Sequence, residues 1–438
     1  MRTFYNQVRY AKLVIIILAL LAMLQRVYAQ VDSGEALFII PAADLHVEAS
    51  KRAQFLQYNH DYYKEIVPRL AKAKTLSKRV FANEKAGLPT ACSHQILYET
   101  EWLLSCTADF KRIDQRLDDL EKSLNNPPGE ALAEQQDPTD GSWGACSTEW
   151  FFKLNAFYDA FQNLPDSDHL KYAPAFLDRI NSPEKLTAYL TSIATSNIPL
   201  YGVDHRRELN ESLANLLRLV LHDKPANYKY HPKLKATLMK LVLGSLRSPT
   251  TGYWGERYIN GDSMRFVDDL SVTFHMISYL NGKISGWEKV IAHTLAVKNT
   301  EYPVGWLHNN QYENHHNMDV VTIFKLGWQY TTPLEKQMIS SEIQAMLNWC
   351  LAQSLQPDGS VKITEDDDSV EEGTYFGISF LCRIGYFDKA ARFWTTQNFA
   401  GAEEMRKKII TNILQHKATG AAGGTYYNSA LQQLGYKQ

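Results

Sequence analysis

Apolar residues recur along this chain at steps of three and four, and the segments between them are short and polar. Two stripes show the pattern most clearly: Leu213, Leu216, Leu217, Val220 and Leu221, and then Ile343, Met346, Leu347, Cys350 and Leu351. Such spacing is typical of helices that bury one face, whereas the alternation typical of strands is almost absent. The pattern therefore predicts an all-α chain.

A glycine turn precedes successive helical stretches at a nearly constant interval. The seven glycines lie between 50 and 65 residues apart: Gly87, Gly144, Gly202, Gly255, Gly305, Gly359 and Gly424. About fifty-five residues hold two helices and their loops, and such hairpins must stack to bury their apolar faces. We therefore predict an (α/α) toroid of about six to seven helical hairpins, forming a single domain over residues 30–438. An open solenoid is the alternative.

The first 29 residues have the layout of a secretory signal peptide. Arg2, Arg9 and Lys12 precede an apolar run from Leu13 to Leu24, and Ala29 offers a small residue for cleavage. The run is shorter than the roughly 20 apolar residues that span a bilayer. We predict cleavage after Ala29 and a secreted or periplasmic protein with no stable membrane span. An uncleaved anchor is the alternative.

Charge and cysteine content narrow the function classes. The chain has 46 basic and 48 acidic side chains, so it offers no positive field for a nucleic acid. Its 12% aromatic content suits the stacking of sugars. The five cysteines are odd in number and form no CxxC pair: Cys92, Cys106, Cys146, Cys350 and Cys382. Cys92 can pair with Cys106 or Cys146, but buried free thiols are the interpretation that we favour.

Reactive side chains concentrate just after the glycine turns. In a toroid these turns open on one end, where the inner helices begin with free N–H groups. Helix capping explains any single carboxylate there, but it explains Asn314, His315, His316 and Asn317 poorly. We therefore expect this cluster to line a shared cavity.

The order of these residues resembles that of alginate-lyase-like toroidal polysaccharide lyases. Asn314-His315 is followed about one repeat later by Asp358-Gly359 and then by Tyr375 in Gly373-Thr374-Tyr375-Phe376-Gly377. The resemblance is short, covering about seventy residues. It implies β-elimination on a uronate-containing poly- or oligosaccharide, with Asn314 and His315 neutralising the carboxylate and Tyr375 acting as base or acid.

Further residues complete the predicted site. His316, Asp268 and Asp269 join the catalytic set. The predicted substrate-binding residues are Trp254, Trp306, Arg257, Arg265, His205 and Tyr312. The lyase family usually places an arginine shortly before the tyrosine, where this chain has Glu365–Asp368. Arg257 or Arg265 is the expected replacement.

Three other functions remain open. A glycoside hydrolase would pair Asp268 or Asp269 with an acid among Asp366, Asp368 and Glu372. A glycan-binding toroid without enzymatic activity would use tryptophans of the glycine turns as stacking platforms. A toroid of the terpene cyclase or prenyltransferase kind is disfavoured, because position 365 is Glu where the cyclase motif needs Asp. No cofactor is predicted, although a divalent cation at Asp366–Asp368 is left open.

Overall fold

The computed structural model describes residues 42–43, 49–126, 135–162, 170–222, 225, 227–260, 263–362, 370–418 and 425–436. The predicted signal peptide and the acidic run Glu365–Asp368 lie outside these residues. Helices account for most of the described chain, so the prediction of a helix-rich protein is confirmed. A small sheet is an addition that the apolar pattern did not predict.

The chain divides into two compact units. Unit 1 comprises Met1–Leu246 and Glu256–Val267, and unit 2 comprises Arg247–Gly255 and Asp268–Gln438. In the described residues no helix is both long enough and apolar enough to cross a membrane.

Eight helices are described in unit 1. They are α1 (Ala49–Lys85), α2 (Ala91–Cys106), α3 (Phe110–Asn125), α4 (Trp150–Gln162), α5 (Pro183–Ile193), α6 (Ile198–Tyr201), α7 (Arg206–Leu217) and α8 (Leu234–Lys240). Helices α7 and α8 continue into π-helical turns at Arg218–His222 and Leu241–Ser245. Helices α1, α2 and α3 pack on one another around a common apolar core.

Helix α3 shows how the local sequence determines where a helix begins and which face it buries. Asp109 caps it by accepting a hydrogen bond from the Arg112 backbone N–H at 3.1 Å. Its apolar stripe is buried, as the spacing predicts: Ile113, Leu117, Leu120 and Leu124. Burial of this face against α1 and α2 stabilises the helix more than its propensity does.

The sheet has four strands in the order β1-β4-β3-β2. They are β1 (Ala42–Ala43), β2 (Thr195–Ser196), β3 (Trp254–Asn260) and β4 (Ser263–Asp269). β2 pairs with β3 in parallel, and β1 pairs with β4 in parallel. The segment after Gly255 therefore begins with strands and not with the inner helix that the repeat predicted. Aromatic and β-branched residues, such as Tyr258, Ile259 and Val267, favour this outcome.

A disulfide joins Cys92 on α2 to Cys146, 54 residues further along the chain. The preference for free thiols throughout is therefore wrong for this pair. Cys106, Cys350 and Cys382 are free.

Seven helices are described in unit 2. They are α9 (Leu270–Tyr279), α10 (Trp287–Ala296), α11 (Asn314–Gly327), α12 (Pro333–Trp349), α13 (Val370–Arg383), α14 (Ala402–Ala418) and α15 (Thr425–Gln433). Helix α12 continues into a π-helical turn at Cys350–Ser354. Helix α9 packs against α11, α11 against α13, and α13 against α15. In this series each helix therefore packs against the one two positions further along the chain, as in a stack of helical hairpins.

Candidate functional site

The start of helix α11 fixes two histidines in its first turn. Glu313 is the N-cap residue, with an extended backbone. Its Oε2 accepts hydrogen bonds from the backbone N–H groups of His315 at 2.6 Å and His316 at 3.3 Å. The cap satisfies two of the free donors of the helix. Glu313 and His316 are each only 2% exposed.

A partly buried tyrosine and a buried aspartate support these histidines. The Tyr302 ring stacks on the His316 ring with centroids 3.7 Å apart, and its hydroxyl donates to Asp319 Oδ2 at 3.0 Å. Burial raises the pKa of Asp319 well above its usual range, and the hydrogen bond from Tyr302 opposes the rise. The charges of Glu313 and Asp269 raise the pKa of Asp319 further.

His315 connects the start of α11 to the neighbouring helix α13. Its side chain is 29% exposed, and its Nε2 lies 4.0 Å from Asp319 Oδ2. Its ring stacks on Phe376 with centroids 4.1 Å apart. The ring of Phe376 in turn lies 5.3 Å from that of Tyr375. Because α11 and α13 are packed together, His315 and Tyr375 both contact one phenylalanine.

The contacts continue to helix α15. The Tyr375 and Tyr426 rings lie 5.3 Å apart, and the Tyr426 hydroxyl donates to Glu372 Oε1 at 3.4 Å. We call His315, Phe376, Tyr375 and Tyr426 the aromatic row. All four side chains are at least partly exposed. Within the described part of the chain, the Tyr375 hydroxyl has no hydrogen-bond partner.

Asn314 lies beneath this surface. It is 2% exposed, and its Nδ2 donates to Ser354 Oγ at 2.7 Å. Gly377 leaves room for the amide, because a Cβ at that position would lie 3.3 Å from Asn314 Nδ2. Asn314 Oδ1 and both polar side-chain atoms of Asn317 are buried without a partner among the described residues. Such groups are costly unless something binds them.

The two aspartates before α9 have different roles. Asp269 is 3% exposed and caps α9 by accepting from the Val272 N–H at 3.0 Å. Asp268 accepts from Thr251 Oγ1 at 2.7 Å, and its Oδ2 lies 3.3 Å from His293 Nε2. Burial raises the pKa of Asp268, and the hydrogen bond from Thr251 opposes the rise. The negative charge of Asp269 raises the pKa of Asp319. Asp269 therefore contributes to the electrostatic environment of the histidines.

The prediction that Trp254 and Trp306 are stacking platforms needs correction. Trp254 and Trp306 are both 0% exposed, so neither indole has a face open to a sugar. The Arg247 guanidinium lies 4.6 Å from the Trp254 ring, and Trp306 packs edge-on against Phe324. Their large apolar surfaces stabilise the core instead.

Three of the other four predicted binding residues make contacts of their own. The Tyr312 hydroxyl donates to Glu342 Oε2 on α12 at 3.3 Å. Arg257, Arg265 and His205 belong to unit 1. Arg257 donates to the Ser245 carbonyl, Arg265 is exposed on β4, and His205 Nδ1 lies 3.1 Å from Glu208 Oε2.

Sequence reasoning missed three residues of the site. Tyr302 and Ser354 come from loops and turns with no motif of their own. Phe376 had a local signal, because it follows Tyr375 directly. Glu313, His315 and His316 each offer one atom to a metal ion, and these atoms lie within 4.8 Å of one another.

Unit 1 holds a separate buried acid. Glu256 is 2% exposed and accepts a hydrogen bond from the Ser196 hydroxyl. Asp204 lies nearby and accepts from the Tyr258 hydroxyl at 3.1 Å. Burial raises the pKa of Glu256 well above its usual range, and the charge of Asp204 raises it further.

We expect the free energy of unfolding of the Glu256→Gln variant to increase relative to that of the parent protein as pH rises. The folded parent keeps a proton on Glu256 that the unfolded chain loses above a pKa of about 4.3. Its stability therefore falls with rising pH, by about 1.4 kcal/mol per pH unit from this group, until pH passes the folded pKa. Glutamine carries no such proton. Urea unfolding between pH 5 and 8 measures the difference, and the exposed Glu288→Gln variant is the control. Equal pH slopes for Glu256→Gln and the parent would contradict the prediction.

Comparison with protein-family models, curated proteins and solved structures gives no match for this chain.

Proposed function

We propose that the aromatic row is the active site of a lyase that cleaves a uronate-containing glycan by β-elimination. One observation carries the proposal: His315 and Tyr375 lie on adjacent helices and pack against the same ring, that of Phe376. The Tyr375 hydroxyl has no hydrogen-bond partner within the described chain, and Tyr375 lies on helix α13. Partly exposed rings beside it suit the faces of sugars.

The reaction needs a proton carrier beside the sugar. In β-elimination the C5–H bond breaks and its electron pair forms the C4=C5 double bond. The C4–O bond breaks at the same time, and its electron pair leaves with the oxygen. The side-chain oxygen of Tyr375 takes the C5 proton and returns it to the leaving oxygen, so no net proton is consumed. His315 beside it interacts with the uronate carboxylate, whose negative charge spreads as C5 loses its proton.

Buried groups hold these side chains in place. Asn314 is buried, so its part is to link α11 to Ser354, in the space that Gly377 leaves for its amide. His316 is likewise buried and held by Tyr302. Asp269 caps the neighbouring helix. These three residues therefore position the site, and His315 and Tyr375 contact the substrate.

We further propose that the helical hairpins belong to an (α/α) toroid in an exported protein. The sequential packing of α9, α11, α13 and α15 supports the hairpin repeat. The Cys92–Cys146 disulfide supports an oxidising compartment, because such bonds persist outside the reducing cytosol.

A substrate screen tests the proposed reaction. The purified protein is incubated with uronate-containing and neutral glycans, and products are followed by ultraviolet absorbance and by reducing ends. A lyase gives both signals on uronates, because the new double bond absorbs. Reducing ends without absorbance would indicate the hydrolase alternative. Binding without either signal would indicate a glycan-binding protein.

A further inference from the structure

Three side chains at the start of α11 form a donor set for a metal ion. Glu313, His315 and His316 each offer one oxygen or nitrogen, and these atoms lie within 4.8 Å of one another. Two imidazoles and one carboxylate, with a fourth position open, are the ligands of many catalytic zinc sites. The set is also partly accessible, since the His315 side chain is 29% exposed.

The spacing requires only a small adjustment. Zinc–ligand bonds of roughly 2.0–2.2 Å place tetrahedral donors about 3.3 Å apart. The carboxylate of Glu313 is already anchored by the backbone N–H groups of His315 and His316. His316 is held by its stack on Tyr302. A shift of the partly exposed His315 side chain is the main movement that binding needs.

A buried aspartate provides an independent observation. Asp319 is fully buried, and its Oδ2 lies 4.0 Å from His315 Nε2 and accepts from Tyr302. Its Oδ1 has no hydrogen-bond partner among the described residues. In metal sites, a carboxylate that holds one imidazole nitrogen orients the ring so that the other nitrogen binds the metal. At 4.0 Å Asp319 does not hydrogen-bond the His315 ring, but a small shift of that ring towards Asp319 would give it this role.

We propose that Glu313, His315 and His316 bind a divalent transition-metal ion, with Asp319 orienting His315. Imidazole and carboxylate ligands favour zinc among the common ions. The ion would offset the negative charges of Glu313 and Asp269 and, once bound, would take over from the His315 imidazole the interaction with the uronate carboxylate. Only this last role rests on the proposed function, because metal binding itself depends on the side chains alone.

Calorimetric titration tests the site directly. The mature protein is stripped with a chelator and titrated with ZnCl₂ in the absence of glycan. We expect one strong site per chain, and replacing zinc by Co²⁺ should give the visible absorption of a four-coordinate ion. His315→Ala should weaken zinc binding by at least about a hundredfold, because loss of a ligand exceeds the 10–100-fold cost of losing a supporting group.

Two further variants make the test selective. Glu313→Gln keeps an oxygen that can cap α11 but loses the charge, so it should also weaken binding strongly while the protein stays folded. His94→Ala is the matched control, since His94 lies 3.6 Å from Glu84 as a simple surface pair. It should bind zinc like the parent. Absence of a strong site, or unchanged affinity in His315→Ala and Glu313→Gln, would overturn the proposal.

The outcome is separable from that of the lyase proposal. Zinc binding without activity on any uronate would retain the metal site and reject the lyase. Activity that survives chelation, in a protein that does not bind zinc, would retain the lyase and reject the metal site.

Discussion

Tyr375→Phe is expected to lower the rate of uronate cleavage by about 10²–10⁴-fold, the usual contribution of a positioned acid or base. The variant removes only the hydroxyl oxygen, and the described part of the structure gives that hydroxyl no hydrogen-bond partner. The packing of the ring on Phe376 and Tyr426 is retained. The loss should therefore appear in kcat, with KM and the free energy of unfolding nearly unchanged. Initial rates from the absorbance of the unsaturated product measure it.

Tyr426→Phe is the matched control. Tyr426 lies in the same aromatic row, on α15, but its hydroxyl donates to Glu372. If the hydroxyl of Tyr375 is the proton carrier, Tyr426→Phe should retain most of the activity. Equal rates for Tyr375→Phe and the parent protein would remove Tyr375 from the mechanism and leave the aromatic row as a binding surface.

Loss of the Cys92–Cys146 disulfide is expected to lower the free energy of unfolding by about 4 kcal/mol. The bond closes a loop spanning 54 positions, and opening it increases the conformational entropy of the unfolded chain. Both cysteines pack at the apolar core of α1, α2 and α3. The double variant Cys92→Ala/Cys146→Ala, compared with the parent protein in urea under oxidising conditions, measures the change.

Reductant provides the control for that experiment. Dithiothreitol should destabilise the parent protein by a similar amount and should leave the double variant unchanged. Cys382→Ser, at a free cysteine, tests for effects of thiol loss alone. A parent protein equally stable with and without reductant would show that the bond does not constrain the unfolded chain.

The local pattern was enough to predict the helices and the residues at their starts. The stripe at Ile343, Met346 and Leu347 is buried on α12, as a period of 3.6 requires. The Asn314-His315-His316 cluster does begin a helix, and Tyr375 does lie on the next helix of the packed series. The spacing of one repeat was sufficient, because stacked hairpins bring equivalent positions side by side.

Tertiary packing alone decided which side chains are exposed and which distant residues they contact. Trp254 and Trp306 adjoin Gly255 and Gly305, where a surface platform was expected, yet both are buried, because burial depends on what packs around a side chain. The strands after Gly255 depend on pairing with β2, about sixty residues earlier. The disulfide partner of Cys92 was equally undetermined, since spacing allowed two choices.

The sequence by itself determined the helical period and the order of the chemical groups, since these depend on neighbours along the chain. Only the tertiary structure decided that His315 and Tyr375 meet at Phe376, and that Glu313, His315 and His316 converge beside the buried Asp319. Contacts between distant side chains arise from the packing of whole helices, and no local pattern specifies which atoms will then face one another.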